Sequence, residues 1–449
     1  MTTKSTDRMS EDLNGQDADR TQVHARRLVF LVLGLVLAAV MLSFDPPAGL
    51  SREAWRVAAV TTWMVIWWLG EAIPIPATAL LPIPLFPALG VSTIDSTTAN
   101  YANPLIFLFL GGFILAAAMQ RSGLHRRIAL NIIQVVGSSP TTVIAGFMLA
   151  TAFLSMWISN TATTIMMYSV GLSVIELQRE RSTDDVQIRN FSVALMLGIA
   201  YAASIGGIGT LIGTPPNALM ASVLQSTYNI EIDFLTWMMF AVPVVFVLLP
   251  VAWVLLTKVL YPSNFGDTKP MVSGVDREVK ALGPMRRDEK FVLAIFLFAA
   301  TGWIFGKPIS AATGIELSDT AVAISTALLL FSVPYAVRSP KFLIDWDDAK
   351  ELPWGLLLIF GGGLAIASAF NSSGLAGAIG QSITGMSSFG IWTFVFVATV
   401  MIVFLTEITS NTASAATFLP IFGAIAVGLG YDPRLLMIPI TWLSAVLSG

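Results

Sequence analysis

The chain contains no cysteine, so disulfides and thiolate metal sites are excluded and the redox compartment is unreadable from sequence. Only two histidines occur, His24 and His125, both at the edges of apolar segments. Charge is scarce as well: 12% of the 449 residues are Asp, Glu, Lys or Arg, where soluble domains carry about a quarter. No GxxxxGK[ST] motif is present, so ATP is not the driver of whatever this chain does. The net charge of −3 points to no class of partner, and nothing suggests nucleic acid. A membrane-embedded enzyme would need a reactive constellation at depth. The spans offer no such set: no Cys, no His and almost no paired acids.

Apolar residues fill the space these absences leave. The chain is 55% hydrophobic with a mean hydropathy of +0.75, and apolar runs near span length recur throughout, which defines an all-α polytopic membrane protein. Such segments lie near 28–44, 55–70, 75–91, 104–120, 141–177, 191–225, 235–257, 291–306, 319–337, 355–370, 391–429 and 434–449. Residues 1–24 are polar and mixed in charge and read as a solvated tail. Arg20, Arg26 and Arg27 precede the first apolar run, which lacks a convincing small-residue cleavage site and counts as the first span.

Basic residues crowd the tail, 121–127, 179–189, 258–290 and 338–350, whereas 92–103, 226–234 and 371–433 have none. Apart from Arg52 and Arg56, this bias predicts a cytoplasmic N-terminus. It also gives 141–177 two basic flanks and 391–429 two non-basic ones. Each long segment then enters and leaves on one side, as a re-entrant hairpin, and the two point at each other. Segments 124–137 and 375–388 become interfacial amphipathic pieces.

An internal repeat supports this geometry. A shift of 251 places Gly111–Gly112 on Gly362–Gly363, Ser122–Gly123–Leu124 on Ser373–Gly374–Leu375, and FLSMWISNTA (153–162) on FLTEITSNTA (404–413) without a gap. Span 104–120 runs inward and 355–370 outward. The fold expected is therefore an inverted-repeat transporter with two opposed re-entrant helical hairpins and broken spans.

The aligned centres are two identical polar triplets, Ser159–Asn160–Thr161 and Ser410–Asn411–Thr412. At a hairpin tip the departing helix offers free N–H groups and partial positive charge to an anion, while the arriving helix offers carbonyls to a cation. Hydroxyl and amide groups supply donors and neutral oxygens for a hard cation such as Na⁺. The competing interpretation is that each triplet only caps a break and bonds across helices. A third break is GTLIGTPPN (209–217), where Pro215–Pro216 removes donors and Gly213 frees the backbone, leaving the Gly213 carbonyl and Thr214 hydroxyl available. A plain proline kink is the alternative there. With no Lys or Arg in these segments, a bound dianion would draw its counter-charge from helix ends and co-bound cations. Glu407 is the one acid inside a hairpin; its repeat partner is Met156, which favours a structural role. Glu71, in GEAIPIPATALLP, is expected to anchor a span boundary.

The paired triplets, GTLIGTPPN, GEAIPIPATALLP and SNTASAATFLP together resemble the divalent anion/sodium symporter family, in its dicarboxylate carrier branch, from about residue 28 to the end of the chain. The resemblance implies a homodimer with a scaffold part and a transport part that moves as an elevator. On that pattern 25–103 and 226–354 form scaffold spans, the latter with a cytoplasmic loop. Residues 104–225 form the first transport repeat with its inner tip at 159–161, and 355–449 the second with its outer tip at 410–412. It implies one Na⁺ site at Ser155, Ser159, Asn160 and Gly213, and a second at Thr406, Thr409 and Asn411. Substrate carboxylates would meet Asn160, Thr161, Asn411 and Thr412, with Thr214 and Pro215 nearby. Na⁺ would serve as coupling ion, and the setting would be a bacterial inner (plasma) membrane. The family's second TPPN-like break is expected just beyond TWLSAVLSG, so the sequence reads as truncated in its final span. The implied activity is Na⁺-driven uptake of a C4-dicarboxylate of the succinate, malate or fumarate type. Alternatives on the same fold are Na⁺-independent dicarboxylate exchange, a citrate or sulfate carrier, and a channel or receptor.

Overall fold

A computed structural model describes residues 25–136, 139–180, 184–263, 269–335, 341–384, 390–407 and 410–446. The tail at 1–24, Thr409 and the last three residues lie outside these. Among the described residues there is no strand, only an isolated bridge between Pro334 and Phe342. Seven helical stretches are long and apolar enough to cross a membrane, from Ala25–Ser43 to Asn411–Gly428. The chain is therefore an all-helical, multi-pass integral membrane protein.

Most segment limits follow from local chemistry. Helix α1 covers 25–43 and α2 is Arg52–Gly70, begun by Ser51, whose hydroxyl accepts the Ala54 N–H. The 75–91 segment is not one span. It forms two short helices, α3 (Ile75–Thr78) and α4 (Pro82–Ala88), because prolines at 74, 76, 82, 84 and 87 remove ladder donors. A short α5 (Ile94–Ala99) leads to α6 (Pro104–Ser122), with Asn103 as cap and proline in its first turn.

Amphipathic α7 (Leu124–Val136) precedes α8 (Pro140–Ser155), a four-residue break, and α9 (Asn160–Arg179). The segment at 191–225 divides into α10 (Asp185–Gly207) and α11 (Pro215–Tyr228). Next come α12 (Phe234–Val254), α13 (Lys269–Leu282), α14 (Arg287–Thr313), α15 (Asp319–Ser332) and α16 (Trp346–Lys350). The second half holds α17 (Trp354–Ser372), α18 (Leu375–Thr384), α19 (Gly390–Thr406), α20 (Asn411–Gly428) and α21 (Arg434–Val446).

The repeat survives into three dimensions as a succession of elements in constant register. Gly123 and Gly374 both take the left-handed conformation, at φ 77° and 78°, and each ends a long helix just before an amphipathic one. Helices α8 and α19 end at Ser155 and Thr406, and α9 and α20 start at Asn160 and Asn411. Each pair is separated by the same 251 residues seen in the sequence.

The chain divides into two compact units. One comprises Met1–Tyr101 with Leu358–Met437; in it α18 packs on α20 and α2 meets both. Gly380 and Gly428 bring the α18 and α20 backbones into contact, and Gly362 lies against the backbone of Ala79. The other comprises Ala102–Leu357 with Ile438–Gly449. There α8 is flanked by α7 and α10, α6 packs on α15, and α13 lies across α7 and α9. Buried Glu289 ties this unit's polar edge together. It accepts from Arg127 and from the backbone N–H of Arg286, at 3.0 and 2.8 Å. Helix α13, unforeseen in the sequence because its charge hides it among basic loop residues, is fastened by Arg126 to Glu278 and by Gln134 to Asp276 at 2.9 Å.

Candidate functional site

The site in the larger unit is assembled from two places where helix fails. Helix α8 stops at Ser155, and the chain turns through Met156–Ser159 before α9 begins. Ser159 is the N-cap, its hydroxyl accepting the Ala162 N–H at 3.4 Å, so one capping function foreseen for the triplet is real. Helix α10 stops at Gly207, and α11 begins at Pro215 after an extended Thr214 that makes no side-chain cap bond.

Glycine lets these breaks approach. A Cβ on Gly206 would strike the Ala152 backbone, one on Gly207 the Asn160 amide, and one on Gly213 would meet the Gly207 carbonyl and lie 3.0 Å from the Ser155 carbonyl. The structure therefore brings Ser155, Asn160 and Gly213 together, with Ser155 and Gly213 buried and Asn160 partly exposed.

The donors gathered here are neutral oxygens. Ser155 Oγ lies 2.6 Å from Asn160 Oδ1 and 2.7 Å from the Ala203 carbonyl. A hydroxyl has one proton and can satisfy one of these acceptors; the other contact is an oxygen–oxygen approach that a cation relieves, or that rotation of the Asn160 amide would convert into a hydrogen bond. With the Ser155 and Gly207 carbonyls facing Gly213, this set suits a hard cation and offers nothing to a soft one.

A cavity of about 550 Å³ opens beside it. Ser159, Thr161, Ala162, Gly213 and Pro215 are among its lining residues, so the N-terminal ends of α9 and α11 share a single space. The N-terminus of α9 offers N–H groups and partial positive charge to an anion, whereas α11, whose first two residues are prolines without an N–H and whose Asn217 N–H bonds to the Thr214 carbonyl, contributes only the positive end of its dipole. Thr214 is buried.

Several participants escaped the sequence reading. Arg121, Asp348 and Glu351 also line the cavity, and Arg121 bonds Asp348 and, at 3.0 Å, Asp345. The Arg121 hydrogen bond holds the Asp345 carboxyl below the usual range despite some burial. No basic residue lies in the hairpins or broken span, yet one reaches the cavity from the end of α6. Trp157 is buried at the tip and stacks on Phe234 and Trp303, with centroids 6.0 and 6.2 Å away, and meets Phe296 edge-on at 4.9 Å. Its tip position is thus set by α12 and α14, elements far away in sequence. Thr210, Asn217 and Trp237 bind the carbonyls of the two breaks. Thr210 and Asn217 lie within GTLIGTPPN, the one signal that could have marked them, and Trp237 carried no such signal.

In the smaller unit, Thr406 is buried and donates to Val403 O at 2.9 Å within its own helix. Ser410 caps α20 in extended conformation without a side-chain cap bond, Asn411 is partly buried, and Thr412 is buried. Thr409, expected as an ion ligand, lies outside the described residues. Glu407 is exposed at the end of α19. Glu71 ends α2 at φ 46° and lies 4.0 Å from Arg27, at a helix boundary.

Broken apolar helices whose polar tips share a cavity define a membrane protein built to hold a small ion or solute inside its helical body. Residues 25–449 match the family described as the sodium:sulfate symporter transmembrane region, and the chain belongs to it. It is 42% identical over 422 residues to the sodium-dependent dicarboxylate transporter SdcS of Staphylococcus saprophyticus, covering 92% of this chain and 81% of that protein. The SdcS proteins of two Staphylococcus aureus strains, RF122/ET3-1 and USA300, are each 41% identical over 425 residues, with the same coverage.

Proposed function

We propose that the protein is a secondary transporter that couples Na⁺ to the uptake of a C4-dicarboxylate such as succinate, malate or fumarate. The observation carrying this reading is a close grouping of neutral oxygens, the Ser155 and Gly207 carbonyls facing Gly213 and the Asn160 Oδ1 2.6 Å from Ser155 Oγ, next to a cavity that receives two helix N-termini. Cation ligands and anion donors within one short reach of each other are what coupling requires: a bound cation lowers the electrostatic cost of a dianion that has no lysine or arginine in the tips. The relatives' name, sodium-dependent dicarboxylate transporter, supports both partners.

Ser155, Ser159, Asn160 and Gly213 form the first Na⁺ site, and Thr406, Thr409 and Asn411 the second. Asn160, Thr161, Thr214, Pro215, Asn411 and Thr412 serve the carboxylates. The two helix–break–helix segments are re-entrant from opposite faces of a bacterial inner membrane, the N-terminus is cytoplasmic, and a homodimer works as an elevator. What favours this arrangement is the basic-residue bias together with the constant register of the repeat.

Flux into proteoliposomes tests the function. Succinate uptake is expected to rise with an inward Na⁺ gradient and to saturate. Uptake indifferent to Na⁺ but dependent on internal dicarboxylate would replace symport with exchange.

A further inference from the structure

We propose that Thr210 is a positioning residue that sets the gap of the first Na⁺ site, an inference resting on the Na⁺-coupled reading. Thr210 is fully buried. Its hydroxyl donates to the carbonyl of Met156 at 2.5 Å and accepts the N–H of Gly213 at 3.1 Å. One bond therefore ends on the hairpin tip, one residue after Ser155, and the other on the glycine facing the Ser155 carbonyl. The hydroxyl is a strut whose length fixes how far apart those two expected ligands stand. No covalent connection shorter than the whole of α9 and α10 does this.

The surrounding bonds show what the strut leaves free. At the end of α8 the Ala152 carbonyl accepts from Met156 N and the Leu154 carbonyl from Trp157 N and Ile158 N. Thr210 takes the Met156 carbonyl. Among the described residues no donor meets the Ser155 carbonyl, the one that lies 3.0 Å from where a Gly213 Cβ would be. Thr210 thus occupies the neighbouring acceptor and leaves the cation-facing one open.

The far side of the break is braced by Asn217, fully buried. Its amide nitrogen donates to the carbonyls of Gly207 at 3.0 Å and Thr210 at 2.8 Å, so the loop bearing the strut cannot swing away. Both acceptors are carbonyls, which fixes the amide orientation. A hard cation of this size requires oxygens at about 2.3–2.6 Å, as Ca²⁺ does, so a shift of a few tenths of an ångström is felt as affinity.

The hydroxyl, not the bulk, is the active feature. T210S keeps it; T210V keeps the volume and leaves the Met156 carbonyl and Gly213 N–H without their partner. The purified protein is reconstituted, and half-saturating Na⁺ is read in two ways: succinate uptake, and Na⁺-induced thermal stabilisation without substrate. T210V is expected to raise half-saturating Na⁺ about tenfold in both, about 1.4 kcal/mol, with the succinate KM at saturating Na⁺ changed less than twofold. T210S is expected to remain within about twofold of the parent. Should T210V fail to fold, T210A carries the same expectation. Unchanged Na⁺ dependence in the hydroxyl-free variants, or equal losses in T210S and T210V, overturns the strut while leaving coupled transport standing. A parent protein with no Na⁺ response in either measurement overturns the transport reading and the strut with it.

Discussion

Gly213 illustrates how little space separates a ligand from an obstruction. Its Cα faces two backbone carbonyls that belong to different breaks, those of Gly207 and Ser155. A methyl group there would meet the first below van der Waals distance and press on the second, and neither is the flexible end of a side chain. G213A is therefore expected to push apart the oxygens that a cation must bridge. Half-saturating Na⁺ in the uptake assay should rise on the order of tenfold or more, one misplaced ligand being worth about 1.4 kcal/mol. Retention of parental Na⁺ dependence in G213A would place the cation elsewhere. Gly213, Ser155 and Asn160 were legible in the sequence, because a glycine before paired prolines and a polar triplet inside an apolar run both break local rules. Thr210, Asn217 and Trp157 were not legible as functional residues. Threonine and asparagine near a loop, or tryptophan in a span, break no rule, and their roles exist only through partners 54, 10 and 77 positions away, Met156, Gly207 and Phe234.

At the scale of elements, α10 owes its placement to what each of its glycines faces. Gly198 lies against the thioether of Met148, 3.2 Å from where a Cβ would sit, whereas Gly206 lies against the Ala152 backbone itself. A methionine side chain yields by rotation; a helix backbone does not. Alanine in a helix interior is favoured over glycine by up to about 1 kcal/mol. G198A should therefore leave thermal stability of the purified protein unchanged or slightly raised. G206A should lower it by about 1–3 kcal/mol, the usual cost of overpacking, and weaken Na⁺ binding by forcing α10 away from the end of α8. Equal melting behaviour in the two variants would mean that α8 and α10 are not held this closely. Element-level legibility follows the same physics. Apolar runs of span length, with caps and prolines at their ends, announced α1, α2, α6, α12 and α17 to within three residues, whereas the segment 291–306 fell seven residues short of the C-terminal end of α14. The stretch 75–91 has span-like hydropathy but too many prolines to stay one helix, and α13 is too charged to register as packed structure.

For the whole molecule, the absence of cysteine makes the side from which each half is entered directly measurable, since any introduced thiol is the only one. The repeat fixes which elements correspond, while orientation rests on basic-residue bias alone. If α8 and α9 form a re-entrant pair, residues before and after them, Ser139 and Arg179, share the cytoplasmic side. If α19 and α20 do the same from the opposite face, Gly390 and Tyr431 share the outer side. Each of the four positions bears a single cysteine in right-side-out vesicles, and labelling by a membrane-impermeant maleimide is compared before and after permeabilisation. S139C and R179C should react only after permeabilisation, and G390C and Y431C beforehand. A straight crossing of either pair would place its two members on opposite sides, whatever the stability of the fold. Opposed pairs are the only outcome that lets an identical triplet approach the same depth from both faces. That equivalence would give the carrier two related half-sites, each able to take up its ion in turn. Labelling of one pair on both sides would reduce the repeat to a relic of gene duplication without a transport role.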